Sequence, residues 1–226
     1  AASANCTSDP YFGKKIAGGY YVSGEASYIQ KIGKYYFLFM SYGGLTSDGG
    51  YQMRIFRSEN PDGPYVDCYG TSALFESYKM NYSSTTADNR GVLLFGGYQW
   101  DAMSGAEIAQ GHNSAFVDKQ NRSFVVYHTR FSNGGEGHQV RVHQLFLNDE
   151  GWLMAAPFEF DGETITDEAI ASKASIADAD IAGDYQFMRH QYGQNTKAKA
   201  FETPVNITLN ADGTITGAEK GTWKRT

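Results

Sequence analysis

The sequence predicts an all-β protein built from propeller-type blades, and three observations carry that prediction. Aromatic residues and glycine are abundant, with 16 Tyr, 14 Phe and 26 Gly in 226 residues, a composition that favours strands joined by tight turns. Apolar runs are short and bounded by Gly, Asn, Asp and Pro, and the longest, 35–40, is the size of a strand. The chain also repeats itself in order, which is the signature to seek before any other.

The repeat has four matching segments. Gly24-Glu25-Ala26-Ser27-Tyr28-Ile29 meets Gly111-His112-Asn113-Ser114-Ala115-Phe116, and Gly33-Lys34-Tyr35-Tyr36-Phe37-Leu38 meets Asn121-Arg122-Ser123-Phe124-Val125-Val126. Gln52-Met53-Arg54-Ile55 meets Gln139-Val140-Arg141-Val142, and Asn60-Pro61-Asp62-Gly63 meets Asn148-Asp149-Glu150-Gly151. Each copy reads as strand, turn, strand, loop, strand, turn, strand. In the first copy the strands are 25–30, 35–42, 52–58 and a short one after the Asn-Pro-Asp-Gly turn. A four-stranded unit of about 40 residues, repeated, is the size of a propeller blade. The stretch 69–110 between copies carries one more strand-like run, 92–98, and otherwise reads as a rim loop.

In a propeller the first strand of every blade is innermost, so residues at its start converge on the axis from different blades. Glu25 and His112 hold equivalent places there and are expected to serve one site. Unaided, a glutamate after a glycine is as well an ordinary surface residue, and a lone histidine a structural one. His128 and Arg130, in Tyr127-His128-Thr129-Arg130-Phe131, follow an inner strand towards the same channel. Arg141 offers a guanidinium fork suited to sugar hydroxyls or a carboxylate. Arg54 occupies the repeat-equivalent position, so a shared structural role for the two arginines is the alternative.

A second region begins near residue 160. Its 161–181 segment, polar and rich in Ala, reads as a linker or short helix. Strands are expected at 184–190, 205–210 and 214–216, with an Asn-Ala-Asp-Gly turn between the last two. Three short strands are too few to stand alone. They therefore pack on the first region or are completed by strands from elsewhere. The expected division is residues 1–160 and 161–226.

The remaining totals exclude some classes of function. A net charge of −6 argues against a nucleic-acid partner. Mean hydropathy is −0.46, and no apolar run approaches the length of a membrane span. Cys6 and Cys68 are equally compatible with one disulfide in an oxidising compartment and with two thiols. Asn-x-Ser/Thr sites at Asn5, Asn81, Asn121 and Asn206 matter only where the host glycosylates.

The segments GEASYIQKIGKYYFLFMSYGG, GGYQMRIFRSENPDGPYVD, GHNSAFVDKQNRSFVVYHTRF and HQVRVHQLFLNDEGWLMAAP resemble the arabinan-degrading members of glycoside hydrolase family 43, continuously from about Gly18 to Pro157. The tail, GDYQFMRH followed by ITLNADGTITGAEKGTW, is similar to the start of the small β-barrel domain appended to larger endo-arabinanases. The resemblance implies the C-terminal blades of a five-bladed β-propeller, followed by part of that barrel. It implies inverting hydrolysis of α-1,5-linked L-arabinan by an aspartate base, a second tuning aspartate and a glutamate acid. Glu25 matches the acid, a carboxyl that must stay protonated near neutral pH and face the base at about 6.5–9.5 Å across the sugar. His112 matches the histidine that holds an axial calcium-like ion with mostly water around it, an unusual set for an oxygen-seeking metal. Arg141, Arg130 and His128 are carried as substrate-binding candidates.

Both aspartates precede the acid in the family. Only Asp9 lies upstream of Glu25 here, and its Ser-Asp-Pro-Tyr context matches neither motif. A partner carrying the N-terminal blades and the two aspartates is therefore expected, either as the other chain of a processed enzyme or as the rest of a longer protein. The resemblance further implies a secreted or periplasmic enzyme acting on arabinan or arabino-oligosaccharides. The alternatives are an exo-acting arabinofuranosidase or β-xylosidase on the same fold, or a non-catalytic carbohydrate-binding module.

Overall fold

The computed structural model describes residues 8–9, 13–78, 89–162, 168, 177–190 and 199–224. Its described residues are almost all in strands, turns and loops, with a short helix at Asp178–Ile181 and a helical residue at 168. A two-stranded hairpin, β1 (Ser8–Asp9) and β2 (Gly13–Lys14), precedes the first large sheet. That sheet runs in the order β3 (Glu25–Ile32), β4 (Tyr35–Tyr42), β5 (Gln52–Ser58), β6 (Val92–Leu93), with antiparallel pairing throughout. The second contains β7 (Glu107–Val117), β8 (Ser123–Phe131), β9 (Gln139–Leu147) and β10 (Leu153–Ala155), again a simple antiparallel succession. The repeat seen in the sequence is thus a repeat of four-stranded sheets.

The first copy departs from expectation in its fourth strand. After the turn at Asn60–Gly63 the chain makes only a bridge, Val66 to Arg57, and loops away. The outer place beside β5 is taken by β6, where Leu93 pairs with Arg54 and Val92 with Ile55. Of the strand-like run 92–98, Val92–Leu93 thus closes the sheet. Arg54 fixes this arrangement. Its buried guanidinium donates to the Asn89 and Gly91 carbonyls (3.3 and 3.2 Å), while Nε reaches Gln52 Oε1 at 2.7 Å. In the second copy β10 follows its turn directly, as the sequence predicts.

Side-chain alternation explains how the sheets stack. Phe37 and Phe39 of β4, with Met53 and Ile55 of β5, face the second sheet and meet Ala115, Val125, Tyr127 and Leu145. Leu38, Met40 and Tyr42 point the other way and are covered by Phe56, Tyr65 and Ala73. Strand β4 is buried on both faces, which is why it reads as an unbroken apolar run. Each such fully buried aromatic or aliphatic side chain contributes roughly 1.5–3 kcal/mol.

Polar ties fasten the two sheets at both ends. Arg57 lies over the rings of Trp152 and Tyr35 (4.0 and 4.3 Å) and donates to Glu150 O at 2.6 Å. At the opposite end the Ser47 hydroxyl and backbone N–H donate to the Glu136 carboxylate.

The opposite face of the second sheet is different in character. Phe116, Val140, Met154 and Phe160 are all exposed there. The pairs Phe116–Phe124, Val126–Val142 and Phe146–Met154 place a row of apolar side chains on one side.

The third sheet runs β11 (Gly183–Phe187), β12 (Val205–Leu209), β13 (Thr214–Gly217), β14 (Gly221–Thr222). Three of its strands match expectation, and Gly213 at φ +82° makes the predicted Asn210–Gly213 turn. β14 was not foreseen. It pairs with β13, and Trp223 Nε1 beyond it donates to Asn210 O. This module packs on the rest of the chain: Gln99 and Glu202 bridge backbone to backbone, and Gln186 Nε2 donates to Asp101 Oδ2 at 2.8 Å. Most of the 161–181 segment, and Cys6, Asn5 and Asn81, lie outside the described residues, while Cys68 is exposed. Among the described residues no helix is long and apolar enough to cross a membrane.

Candidate active site

Glu25 opens β3 and His112 lies midway along β7, and both strands bulge at these points. The pairing slips between Glu25 and Tyr28, and again on either side of Gly111. Ala26 and His112 take positive φ, +53° and +50°, a conformation that costs about 1–2 kcal/mol for residues with a Cβ. A bulge re-aims the side chains beside it. Here it turns both towards one point, with Glu25 Oε1 3.8 Å from His112 Nδ1. The repeat-equivalent residues therefore meet, in a site open on one side: the two side chains are 52% and 58% exposed.

Tyr51, which the sequence reading did not single out, sits beneath them. It is 3% exposed, and its hydroxyl donates to Glu25 Oε1 at 2.6 Å and lies 3.5 Å from His112 Nδ1. Burial, then the adjoining carboxylate, raise its pKa, so it stays a donor. The Tyr51 ring stacks on His128 at 5.5 Å, and His128 in turn meets the edge of His138 at 4.5 Å and the ring of His112 at 6.0 Å. Burial and the neighbouring His138, His112 and Arg130 push His128 down to about 4, so it is neutral above that. Its Nδ1 is buried without a hydrogen-bond partner among the described residues. Ser41, opposite Glu25, accepts from the His112 backbone N–H at 2.8 Å and ties β7 to the first sheet.

Of the predicted residues, Glu25, His112 and His128 come together; the two arginines are held elsewhere. Arg130 is buried, with Nε on Leu45 O at 2.9 Å and its other end on the Glu136 backbone carbonyl and carboxylate. It clamps the loops that follow β4 and β8. Arg141 faces the core side opposite Tyr127 and pairs with Glu159 at 2.8 Å. Arg54 holds the segment that leads into the outer strand of its sheet and Arg141 the segment that follows β10, so both arginines tie a loop to their own sheet. Arg141→Ala is expected to cost no more than about 1 kcal/mol, the worth of a partly exposed pair, in a denaturant melt. It should leave catalytic constants nearly unchanged, and a large rise in KM would instead place Arg141 at the substrate. The loop after β4 closes where Gly44 and Gly49 meet, and a Cβ on Gly49 would lie 2.2 Å from Gly44 O.

The side chains around Glu25 and His112 do not by themselves make a calcium site. Nδ1 of His112 is turned to Tyr51 and Glu25, which leaves Nε2 as a possible ligand. Among the described residues no three His, Cys, Asp or Glu side chains are grouped to hold an ion. One imidazole is not a calcium site, because calcium takes six to eight oxygens. An ion here would need most of its shell from water or from outside this chain.

The all-β framework agrees with what known proteins show. Residues 7–153 match the profile of glycosyl hydrolases family 43, and residues 157–226 that of a C-terminal lipocalin-like domain. The chain belongs to glycoside hydrolase family 43. It is similar to the extracellular endo-α-(1→5)-L-arabinanase of Thermotoga petrophila, 40% identical over 95% of this chain and 44% of the relative. It is also similar to extracellular endo-α-(1→5)-L-arabinanase 2 of Bacillus subtilis, at 39% over 95% of this chain and 45% of the relative. A family 43 glycoside hydrolase of Bacillus licheniformis superposes with a TM-score of 0.81 at 37% identity, over 95% of this chain and 47% of that structure. The chain thus spans less than half the length of the relatives it matches.

Proposed function

We propose that this chain is the C-terminal part of an inverting, extracellular endo-1,5-α-L-arabinanase, with Glu25 as its general acid. The observation that carries the reading is the meeting of Glu25 and His112 from equivalent strand positions over the buried Tyr51 hydroxyl. Tyr51 occupies Oε1 of Glu25, so the proton for the leaving glycosidic oxygen is the one on Oε2. A water on the opposite face of the sugar attacks the anomeric carbon and gives its proton to an aspartate outside this chain, and the configuration inverts.

The two larger sheets are read as two blades of a five-bladed propeller within residues 1–160. Residues 161–226 are read as a linker and the start of a β-barrel module. The exposed apolar face of the second sheet supports this, because a face carrying Phe116, Val140 and Met154 is a poor surface to leave in water. We assign it to contact with the missing N-terminal blades, supplied by a partner chain or by the rest of a longer protein. His128 sits within reach of the sugar, while Arg130 and Arg141 support the site from behind. Calcium, if held, would take His112 as a ligand, and no step is routed through it. The names of the relatives support a secreted location.

The test is the substrate profile of the assembled enzyme. Linear arabinan should give a spread of oligosaccharides and a β-configured reducing end on first release. Release of single arabinose units alone would make the enzyme exo-acting. Binding without hydrolysis by the complete assembly would reduce it to a binding module.

A further inference from the structure

Tyr51, the donor beneath Glu25, is delivered by a soft piece of backbone. Four of the eight residues in 43–50 are glycine, and Gly43 and Gly50 take positive φ, +99° and +69°. Glycine widens the conformations open to a loop, so such a loop does not hold its own end still. It closes at a neck where the Gly44 N–H donates to Gly49 O at 2.8 Å. Tyr51 leaves that neck two residues later, directly before β5.

The ties from this loop to the second sheet converge on Arg130 and Glu136. Arg130 Nε donates to Leu45 O at 2.9 Å. The Ser47 hydroxyl donates to Glu136 Oε1 at 2.6 Å, and the Ser47 backbone N–H to Oε2 at 3.0 Å. Arg130 closes the figure, with Nη1 3.2 Å from Glu136 Oε2. Ser47 and Arg130 are both buried. The two Ser47 donors, then Arg130 and Lys199, hold the Glu136 carboxyl below the usual carboxylate range, so it is ionised at neutral pH. Hydrogen bonds to an ionised acceptor are roughly twice as strong as neutral ones.

Each loop delivers a ring to the site. Tyr51 follows the first loop and His138 belongs to the second, and His128 of β8 lies between them. It stacks on Tyr51 at 5.5 Å and meets the edge of His138 at 4.5 Å. The same two loops that Glu136 joins therefore flank the ring whose hydroxyl stands 2.6 Å from Glu25 Oε1.

We propose that Glu136, held by Ser47 and Arg130, is a positioning residue that latches the loops following β4 and β8 together and thereby seats Tyr51 beneath Glu25. It touches no reacting atom and acts through Tyr51. The inference rests on the reading of Glu25 as general acid, and it has two consequences. Losing the latch lowers the rate no more than losing the Tyr51 hydroxyl does, and it has no further effect once that hydroxyl is gone. A side chain that only stabilised the fold would show neither.

The experiment uses the full-length enzyme, N-terminal blades included, carrying Glu136→Ala with and without Tyr51→Phe. On linear arabinan Glu136→Ala should lower kcat by up to about tenfold with KM preserved, and the double variant should fall no further than Tyr51→Phe alone. Glu136→Gln keeps an oxygen for Ser47 and should recover most of the loss. If Glu136→Ala fails to fold, Ser47→Ala takes its place in the same cycle, with an expected loss of about threefold. A loss that multiplies with that of Tyr51→Phe, an unchanged kcat, or a large rise in KM at constant kcat overturns the proposal. A ¹⁹F label on the Tyr51 ring reports its seat without turnover. Its resonance should move in Glu136→Ala and return towards the parent position in Glu136→Gln, and a resonance that stays in place in Glu136→Ala overturns the latch. If the parent enzyme fails to hydrolyse arabinan while the Tyr51 resonance still answers to Glu136, the arabinanase reading falls and the latch on Tyr51 stands.

Discussion

Replacing Glu25 by Gln is expected to lower kcat on linear arabinan by about 10²–10⁴-fold or more, with little change in affinity for an arabino-oligosaccharide. The amide has the shape of the carboxyl and still accepts from the Tyr51 hydroxyl at Oε1, so the geometry around it should survive. The side chain is half exposed, which predicts a negligible change in melting temperature. What is lost is the proton for the departing sugar oxygen. An aryl arabinoside, whose phenolate leaves without protonation, should therefore be hydrolysed by Glu25→Gln far closer to the parent rate. That contrast separates an acid from a residue that merely binds. Equal losses on both substrates, or equal losses in binding and turnover, would remove Glu25 from this role. Tyr51→Phe is the companion variant. It frees the carboxyl to turn, and a fall of about tenfold in kcat with KM preserved is the expected mark of a positioning residue.

The sequence made the framework legible because periodicity survives in one dimension. Strands β3, β4, β5, β7, β8 and β9 fall where alternation and turn residues put them, and the repeat frame brings Glu25 and His112 to within 3.8 Å. What the frame could not show is which distant segment fills a place beside a strand. Val92–Leu93 takes the outer edge of the first sheet because Arg54, buried beneath it, captures the carbonyls at 89 and 91, a contact with no local signature. The partners of the arginines were hidden for a related reason. A guanidinium in a strand next to a channel has the right chemistry for a sugar, yet loops folded over Arg130 and Arg141 supply Glu136 and Glu159 first. Tyr51 was invisible among 16 tyrosines, since its meaning lies in a partner 26 residues away across the sheet.

The glycine beside His112 gives the second large expectation. A methyl at position 111 would come within 2.5 Å of Tyr51 Cε1 and 2.9 Å of Ser41 Oγ. Neither neighbour can retreat cheaply. Tyr51 is buried, stacked on His128 and bonded to Glu25, and Ser41 holds the His112 backbone. Gly111→Ala should therefore destabilise by about 1–3 kcal/mol, the usual cost of overpacking. It should also cut kcat by about 10²-fold, because displacement by roughly 1 Å is enough to misalign a catalytic group. Gly111 has no positive φ, so backbone strain would not account for the loss. Adding Tyr51→Leu to Gly111→Ala takes away the ring that the methyl strikes. The double variant should regain stability without regaining activity, the non-additivity expected of two groups in contact. Gly24 holds the same place in the first copy, where a Cβ would lie 2.7 Å from Tyr42 Cε1. Each copy of the repeat thus uses a glycine to admit a tyrosine ring, and the ring admitted by Gly111 is the one whose hydroxyl donates to Glu25. Gly24→Ala should then match Gly111→Ala in stability loss and fall well short of it in lost turnover. Equal losses of activity in the two would mean that general loosening of the sheets, and not the seat of Tyr51, sets the rate.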